Sequence, residues 1–348
     1  MDCPNSRLCF VCSKQACCYH KYLEGEINCR YTCICRRLCK SSVNKREKAT
    51  EIDFNEIPEF VKAGRIKNPC TGIPASSRYI PQIPVRLREA KNALKLVEEA
   101  ELDAIAISLG DFFTPSGDFN KYYREAKIRK LHNYLDYDGY ILLTTDIKDF
   151  LCDQLSRSKL IDMIYSLEPN GVTTYDTYCY DDQPSFITQI KMVEALKRTC
   201  ETFDELNTEA IGLAIGPPNK LFEWYSSCLV EMGGKVLAIP CYEVRVRGKK
   251  QERVGPISHR IKFLRDNFPS AEIILLSVSA SRAFKVFSAD YYSSLTWFIV
   301  KEKNRVRKNK LRLERLLRYK QLTKKYGSQR MVSLNGRGEI SEKIHRKR

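Results

Sequence analysis

At 348 residues, with 43% hydrophobic and 29% charged side chains, the chain is long enough to bury a full core and fits a soluble globular protein. No run of eighteen apolar residues occurs, which excludes a membrane-spanning helix, and the start Met-Asp-Cys-Pro-Asn-Ser-Arg lacks a signal-peptide core, so a cytosolic location is expected. The net charge of +17 is concentrated at the two ends, with 18 Lys/Arg against 4 Asp/Glu in residues 301–348, and a slightly acidic middle between basic ends suits a catalytic core flanked by segments that grip a polyanion.

Residues 1–45 show almost no hydrophobic periodicity. They hold nine of the fifteen cysteines: Cys3, Cys9, Cys12, Cys17, Cys18, Cys29, Cys33, Cys35 and Cys39. In a reducing compartment such clustering favours thiolate–metal ligation over disulfides. Two sets of four ligands can be drawn, one from Cys3 to Cys18 and one from Cys29 to Cys39. The spacings match neither a C2H2 finger nor a paired CxxC ribbon. Zinc is expected there before an iron–sulfur cluster, because no CxxCxxC run is present. The other six cysteines are scattered singly, as small core residues usually are.

Residues 46–77 read as a polar linker with a short helical piece near Ile57–Ala63. From residue 78 to residue 300 a regular alternation follows. Strands are expected at Arg78–Pro84, Asp103–Ser108, Gly139–Thr145, Asn170–Tyr175, Ala210–Ile215, Lys235–Pro240, Ala271–Ser277 and Ser294–Val300. Helical patterns fill the gaps, among them Leu87–Glu99, Ile147–Leu167, Ile187–Leu206 and Asn219–Met232. Eight strands, each followed by a helix, is the arithmetic of a (β/α)8 TIM barrel. Neither GxGxxG nor GxxxxGK[ST] occurs, so dinucleotide and P-loop nucleotide binding lose support.

In such a barrel the site gathers at the carboxyl ends of the strands. Two strands there end on an acidic residue, Asp146 and Asp176. Tyr178 follows Asp176 at the same strand end, Gly110-Asp111, Gly216, Cys241 and Tyr242 follow other strands, and Asp290 and Ser293 stand just before the last one. None of the four histidines falls at a strand end, so a Ser–His–Asp or His-metal mechanism has little support. Paired carboxylates are the natural chemistry, and the tyrosines could stack on a flat base.

Residues 301–348 form a basic helical segment with a frayed end. Arg305, Arg307, Lys308, Lys310, Arg312, Arg315 and Arg318 are the expected phosphate contacts, on a helix that also carries leucines at 311, 313, 316 and 317.

Several short motifs carry a resemblance. Gly139-Tyr-Ile-Leu-Leu-Thr-Thr-Asp146 resembles the strand of tRNA-guanine transglycosylases that delivers their acid/base aspartate. Gly171-Val-Thr-Thr-Tyr-Asp176 is similar to the strand whose aspartate contacts the base, and Gly233-Gly-Lys-Val-Leu-Ala-Ile-Pro240 to the glycine-rich base-binding strand. Ser288-Ala-Asp-Tyr-Tyr-Ser-Ser-Leu-Thr-Trp297 is similar to the segment with the nucleophilic aspartate, whose place Ser293 takes, with Asp290 three residues upstream. The match is nearest to the branch that inserts 7-deazaguanines into DNA. It implies exchange of guanine for a preQ0-type base in DNA or tRNA, with Asp146 as acid/base group and Asp176 as reader of the base. The family's own zinc cysteines have no counterpart, since no cysteine follows Cys241. Two other expectations stand beside this one: a catalytically inactive nucleic-acid-binding protein with a zinc-bound head, and an iron–sulfur oxidoreductase.

Overall fold

A computed structural model describes residues 56–74, 76, 78–114, 116–145, 147, 151, 155–177, 185–216, 220–241, 254–278 and 287–326. The nine head cysteines and the last twenty-two residues lie outside these. Eight strands form one sheet: β1 (Tyr79–Pro81), β2 (Ala104–Ser108), β3 (Tyr140–Thr144), β4 (Gly171–Thr173), β5 (Glu209–Leu213), β6 (Val236–Pro240), β7 (Glu272–Leu276) and β8 (Tyr291–Ser294). Their order is β1-β8-β7-β6-β5-β4-β3-β2, and every pairing is parallel. The sheet closes on itself just past β1. Gln82 bridges Ala106, and the Ile83 N–H donates to the Ala106 carbonyl at 2.9 Å. The architecture is therefore the (β/α)8 barrel that the alternation predicts.

Strands buried on both faces need continuous apolar runs, and β3 and β6 are buried at every position. The helices in chain order are α1 (Glu59–Ala63), α2 (Leu87–Glu99), α3 (Lys121–Arg129), α4 (Leu131–Leu135), α5 (Arg157–Leu167), α6 (Ser185–Phe203), α7 (Lys220–Glu231), α8 (Val254–Asn267) and α9 (Arg305–Tyr326). Side-chain caps set several of their starts. The Asn120 amide oxygen accepts from the Tyr122 and Tyr123 N–H groups, and Ser156 accepts from Lys159 N–H at the start of α5. In the earlier part of the expected helix Leu151 is helical, and residues 148–150 and 152–154 lie outside the described residues. Asn304 does the same for α9 through the Val306 and Arg307 N–H groups.

Two differences from the sequence reading have clear causes. The last strand lies at Tyr291–Ser294, ahead of the apolar run Leu295–Val300. The Ser294 hydroxyl donates to the Val278 carbonyl and accepts from the Thr296 N–H, turning the chain there, so Trp297 and Phe298 pack as a turn beneath α9. The second difference concerns α9, which is the eighth helix of the barrel and packs on α2 and β1. Its inner stripe is Arg312, Leu316, Tyr319 and Thr323, all buried at helical spacing, whereas Leu311 and Leu317 face outward.

The stretch read as a linker covers the amino ends of the strands. Val61, Ile66, Cys70 and Ile73 are buried. The Ile66 N–H donates to the Met232 carbonyl and the Lys67 N–H to Phe203, which satisfies carbonyls at the ends of α7 and α6. Asn68 and Cys70 both bond the backbone of Ala210 in β5. Burial pushes the Cys70 thiol up to about 11, so it behaves as an inert core residue.

Candidate active site at the carboxyl ends of the strands

A threonine network joins the ends of β3 and β4. The Thr145 N–H donates to the Thr173 hydroxyl at 2.7 Å, the two hydroxyls are 2.8 Å apart, and the Thr145 hydroxyl also donates to the Thr174 carbonyl. The Thr174 hydroxyl in turn accepts from the Leu213 N–H at 2.9 Å, tying in β5. All of these threonines are buried, and buried hydroxyls hold position only when bonded. Directly above them, Asp176 Oδ2 accepts a hydrogen bond from the Ile147 N–H at 3.3 Å. The chain leaving β3 is thus fastened to the chain leaving β4. Asp146 is covalently next to Ile147, and it lies outside the described residues, as do Tyr178 and Tyr242.

Gly216 and Cys241 follow β5 and β6 at the same end of the barrel. Gly216 has φ +119°, a backbone conformation that favours glycine, while a Cβ there would meet closely only the flexible end of Met192, at 2.9 Å. Its carbonyl accepts from Arg260 on α8, whose guanidinium lies 5.5 Å from the Phe222 ring centroid. Cys241 is buried, and its thiol donates to the Ile239 carbonyl at 3.4 Å.

Asp290 lies elsewhere. It precedes β8, at the amino ends of the strands, where Oδ2 accepts from the Ile273 N–H at 2.8 Å and from Arg265 at 2.7 Å. Asp290 stands ahead of the last strand whether that strand begins at Ser294, as expected, or at Tyr291, as observed; it therefore lies on the barrel floor, while Asp176, which follows β4, is at the mouth. Ser293 is buried within β8 opposite Ile80, about 10 Å along the chain from Asp290 at strand rise. Asp290 therefore does not join Asp176 in one site.

The floor holds its own charged cluster. Tyr140 donates to Glu209 at 2.8 Å, and Glu272 stands beside Asp290 with Oε2 buried and without a hydrogen bond. Burial raises the Glu272 carboxyl above its ordinary range, and the Asp290 charge raises it further. A carboxyl raised in the folded state loses folded stability as pH climbs from its unfolded value through its folded one. Glu272→Gln should therefore raise the denaturant midpoint more at pH 7 than at pH 4. An equal effect at both pH values would remove this assignment.

The mouth also contains a cavity of about 390 Å³ over β1, β2 and β3. Arg86, Glu89, Ser108, Asp111, Asn120 and Tyr122 line it, with Ile147 and Leu151 on its apolar side. That volume falls in the usual range for small-molecule sites. Ile147 is shared between the cavity wall and the Asp176 hydrogen bond, so cavity and strand-end aspartate are contiguous. Asp111 has a strand-end signal in the sequence. Asn120 and Tyr122 have none, because the excursion between β2 and β3 brings them there through the Phe113–Phe119 bridge.

No family model and no curated protein matches this chain. Among the described residues no group of three or more His, Cys, Asp or Glu side chains is arranged to hold a metal ion. Of the residues expected on phosphate, Arg312 is only 8% exposed. Its Nε donates to the Phe298 carbonyl at 2.8 Å, and its guanidinium sits 3.4 Å from that ring's centroid. Arg315 donates to the Ile299 and Thr296 carbonyls. These two hold α9 to the barrel, whereas Arg305, Arg307, Lys310 and Arg318 are exposed and Lys308 half-buried.

Proposed function

We propose that the barrel exchanges a guanine in nucleic acid for a 7-deazaguanine base at its mouth, by carboxylate chemistry. The observation that carries this reading is the Asp176–Ile147 hydrogen bond, which fastens together the ends of the two strands whose aspartates match the base-exchange motifs. A carboxylate attacks C1′ as the bond to guanine breaks, and guanine leaves with a proton from Asp146. The incoming base then loses its proton to Asp146 and displaces the carboxylate from the sugar. Asp176 accepts from the donor edge of the base. With Asp290 on the floor, Asp111 in the cavity wall takes the role of attacking carboxylate. The cavity volume accommodates a nucleoside turned out of its stack.

Incubating the protein with DNA or tRNA and labelled guanine or preQ0 tests the reading directly. Incorporation into one of the two nucleic acids is expected, and none in either, with zinc supplied, would sink it. A second reading, a barrel that binds nucleic acid without turnover, is favoured by Ser293 at the place of the motif's nucleophile and by the engagement of Asp290 with Arg265. The head as a zinc or iron–sulfur site rests on the cysteine spacing alone. Elemental analysis separates the two: iron with brown colour would revive an oxidoreductase, and zinc in a colourless protein would exclude it.

A further inference from the structure

We propose that the mouth-side ends of α2 and α9 form one cationic seat for the phosphate backbone of a single-stranded nucleic acid, leading into the cavity at Arg86. Each helix follows the carboxyl end of a strand, so both run from the mouth toward the floor. They lie side by side in register. Asn92 and Asn309 exchange two amide hydrogen bonds of 3.1 and 2.9 Å near the mouth, and toward the floor Lys320 donates to the Ala100 carbonyl at 2.7 Å. This register sets Arg305 and Arg307 beside Arg86 and Arg88, and Arg86 lines the cavity.

The charge order along these helices is a second, independent observation. A helix favours acids in its first turn and bases in its last. In α2 the first turn holds Arg88 beside one acid, Glu89, the exposed bases Lys91 and Lys95 follow, and Glu98 and Glu99 close the helix, against that preference in its last turn. Helix α9 has no acidic residue in its first turn, where Arg305, Arg307 and Lys308 stand. Among the described residues none of Arg86, Arg88, Arg305 and Arg307 is in an ion pair. Four arginines gathered where the helix dipoles disfavour them, beside a nucleoside-sized cavity, fit an anion that bears both phosphates and a base. A single strand is the form that delivers an unstacked base. This inference rests on the reading of the barrel as acting on nucleic acid.

The test is fluorescence anisotropy of the full chain with a labelled oligothymidylate of about twenty nucleotides, titrated across salt. Combined Arg86→Gln, Arg88→Gln, Arg305→Gln and Arg307→Gln should weaken binding at least tenfold. The slope of log affinity against log salt should shrink by about 3, since each contact on a single strand contributes about 0.7. Lys324→Gln with Lys325→Gln, at the floor end of α9, should change affinity less than about twofold. Equal losses in the two variants would mean a diffuse polycation and overturn the seat. So would tighter binding to the corresponding duplex, or arginine-dependent binding to vesicles of anionic lipid with none to the strand. If the fourfold variant does not fold, the exposed pair Arg88→Gln and Arg305→Gln carries the same comparison at half the slope change. Arginine-dependent strand binding without base exchange would remove the exchange reading and leave the seat. Exchange with arginine-independent binding would do the reverse.

Discussion

Ending the chain at Asn304 should abolish the cooperative unfolding of the barrel. The basic segment looks like a detachable tail by composition, yet Leu316 on α9 is completely buried and Tyr319 meets Tyr79 of β1 edge-on, with ring centroids 5.5 Å apart. Tyr79 is also completely buried, and removing α9 would open it and Trp297 to water beside the seam where β1 meets β8. A graded version is Leu316→Ala, which deletes buried methyl groups against a packed surface and should cost about 2–5 kcal/mol. For a domain of this size that is a fall in Tm of roughly 5–20 °C. Calorimetry on both variants checks it. A sharp transition in the shortened chain would show that the barrel stands without its eighth helix.

Asp176→Asn should lower base exchange at least a hundredfold while leaving the fold intact. Asparagine keeps an oxygen that can accept from the Ile147 N–H, so the junction of β3 and β4 survives. What it loses is the negative charge and one acceptor facing the base, and a site built to bond a donor edge discriminates strongly when that bond is missing. Asp176→Ala removes the anchor as well, so it should also lower stability, by about 1 kcal/mol. Single-turnover rates and melting curves on the two variants separate the roles. Normal exchange in Asp176→Asn would assign the carboxylate to loop anchoring alone.

Most of the barrel was legible because its strands are buried on both faces and therefore read as unbroken apolar runs. Ile141, Leu142 and Leu143 in β3 and Val236 to Ile239 in β6 are of this kind, and seven strands lie within their expected stretches to within a residue. The eighth was misplaced because its own residues, Tyr-Tyr-Ser-Ser, are less apolar than the turn that follows. Asp290 precedes the strand in either placement, so its position on the floor follows from its place ahead of β8 and not from this shift. Arg312 was misassigned for a related reason: composition shows how basic a helix is, and only its packing phase shows which base turns inward. Of the cavity lining, Gly110 and Asp111 alone had a signal in the sequence. Asn120 and Tyr122 arrive through a chain excursion whose path is set by tertiary contacts.

The paired amides of Asn92 and Asn309 join positions 217 residues apart, and the β1–β8 seam spans a similar interval. Contacts so distant in sequence form only after a long loop has closed, which makes barrel closure the slow, late event of folding. On a ribosome adding about 5–20 residues per second, β1 and α2 wait on the order of 10–40 s before their partners exist. During that interval the backbone N–H and C=O groups on the β8 side of β1 have no strand to pair with. Aggregation of nascent chains at this stage, relieved by a chaperone, is the hazard that this closure imposes.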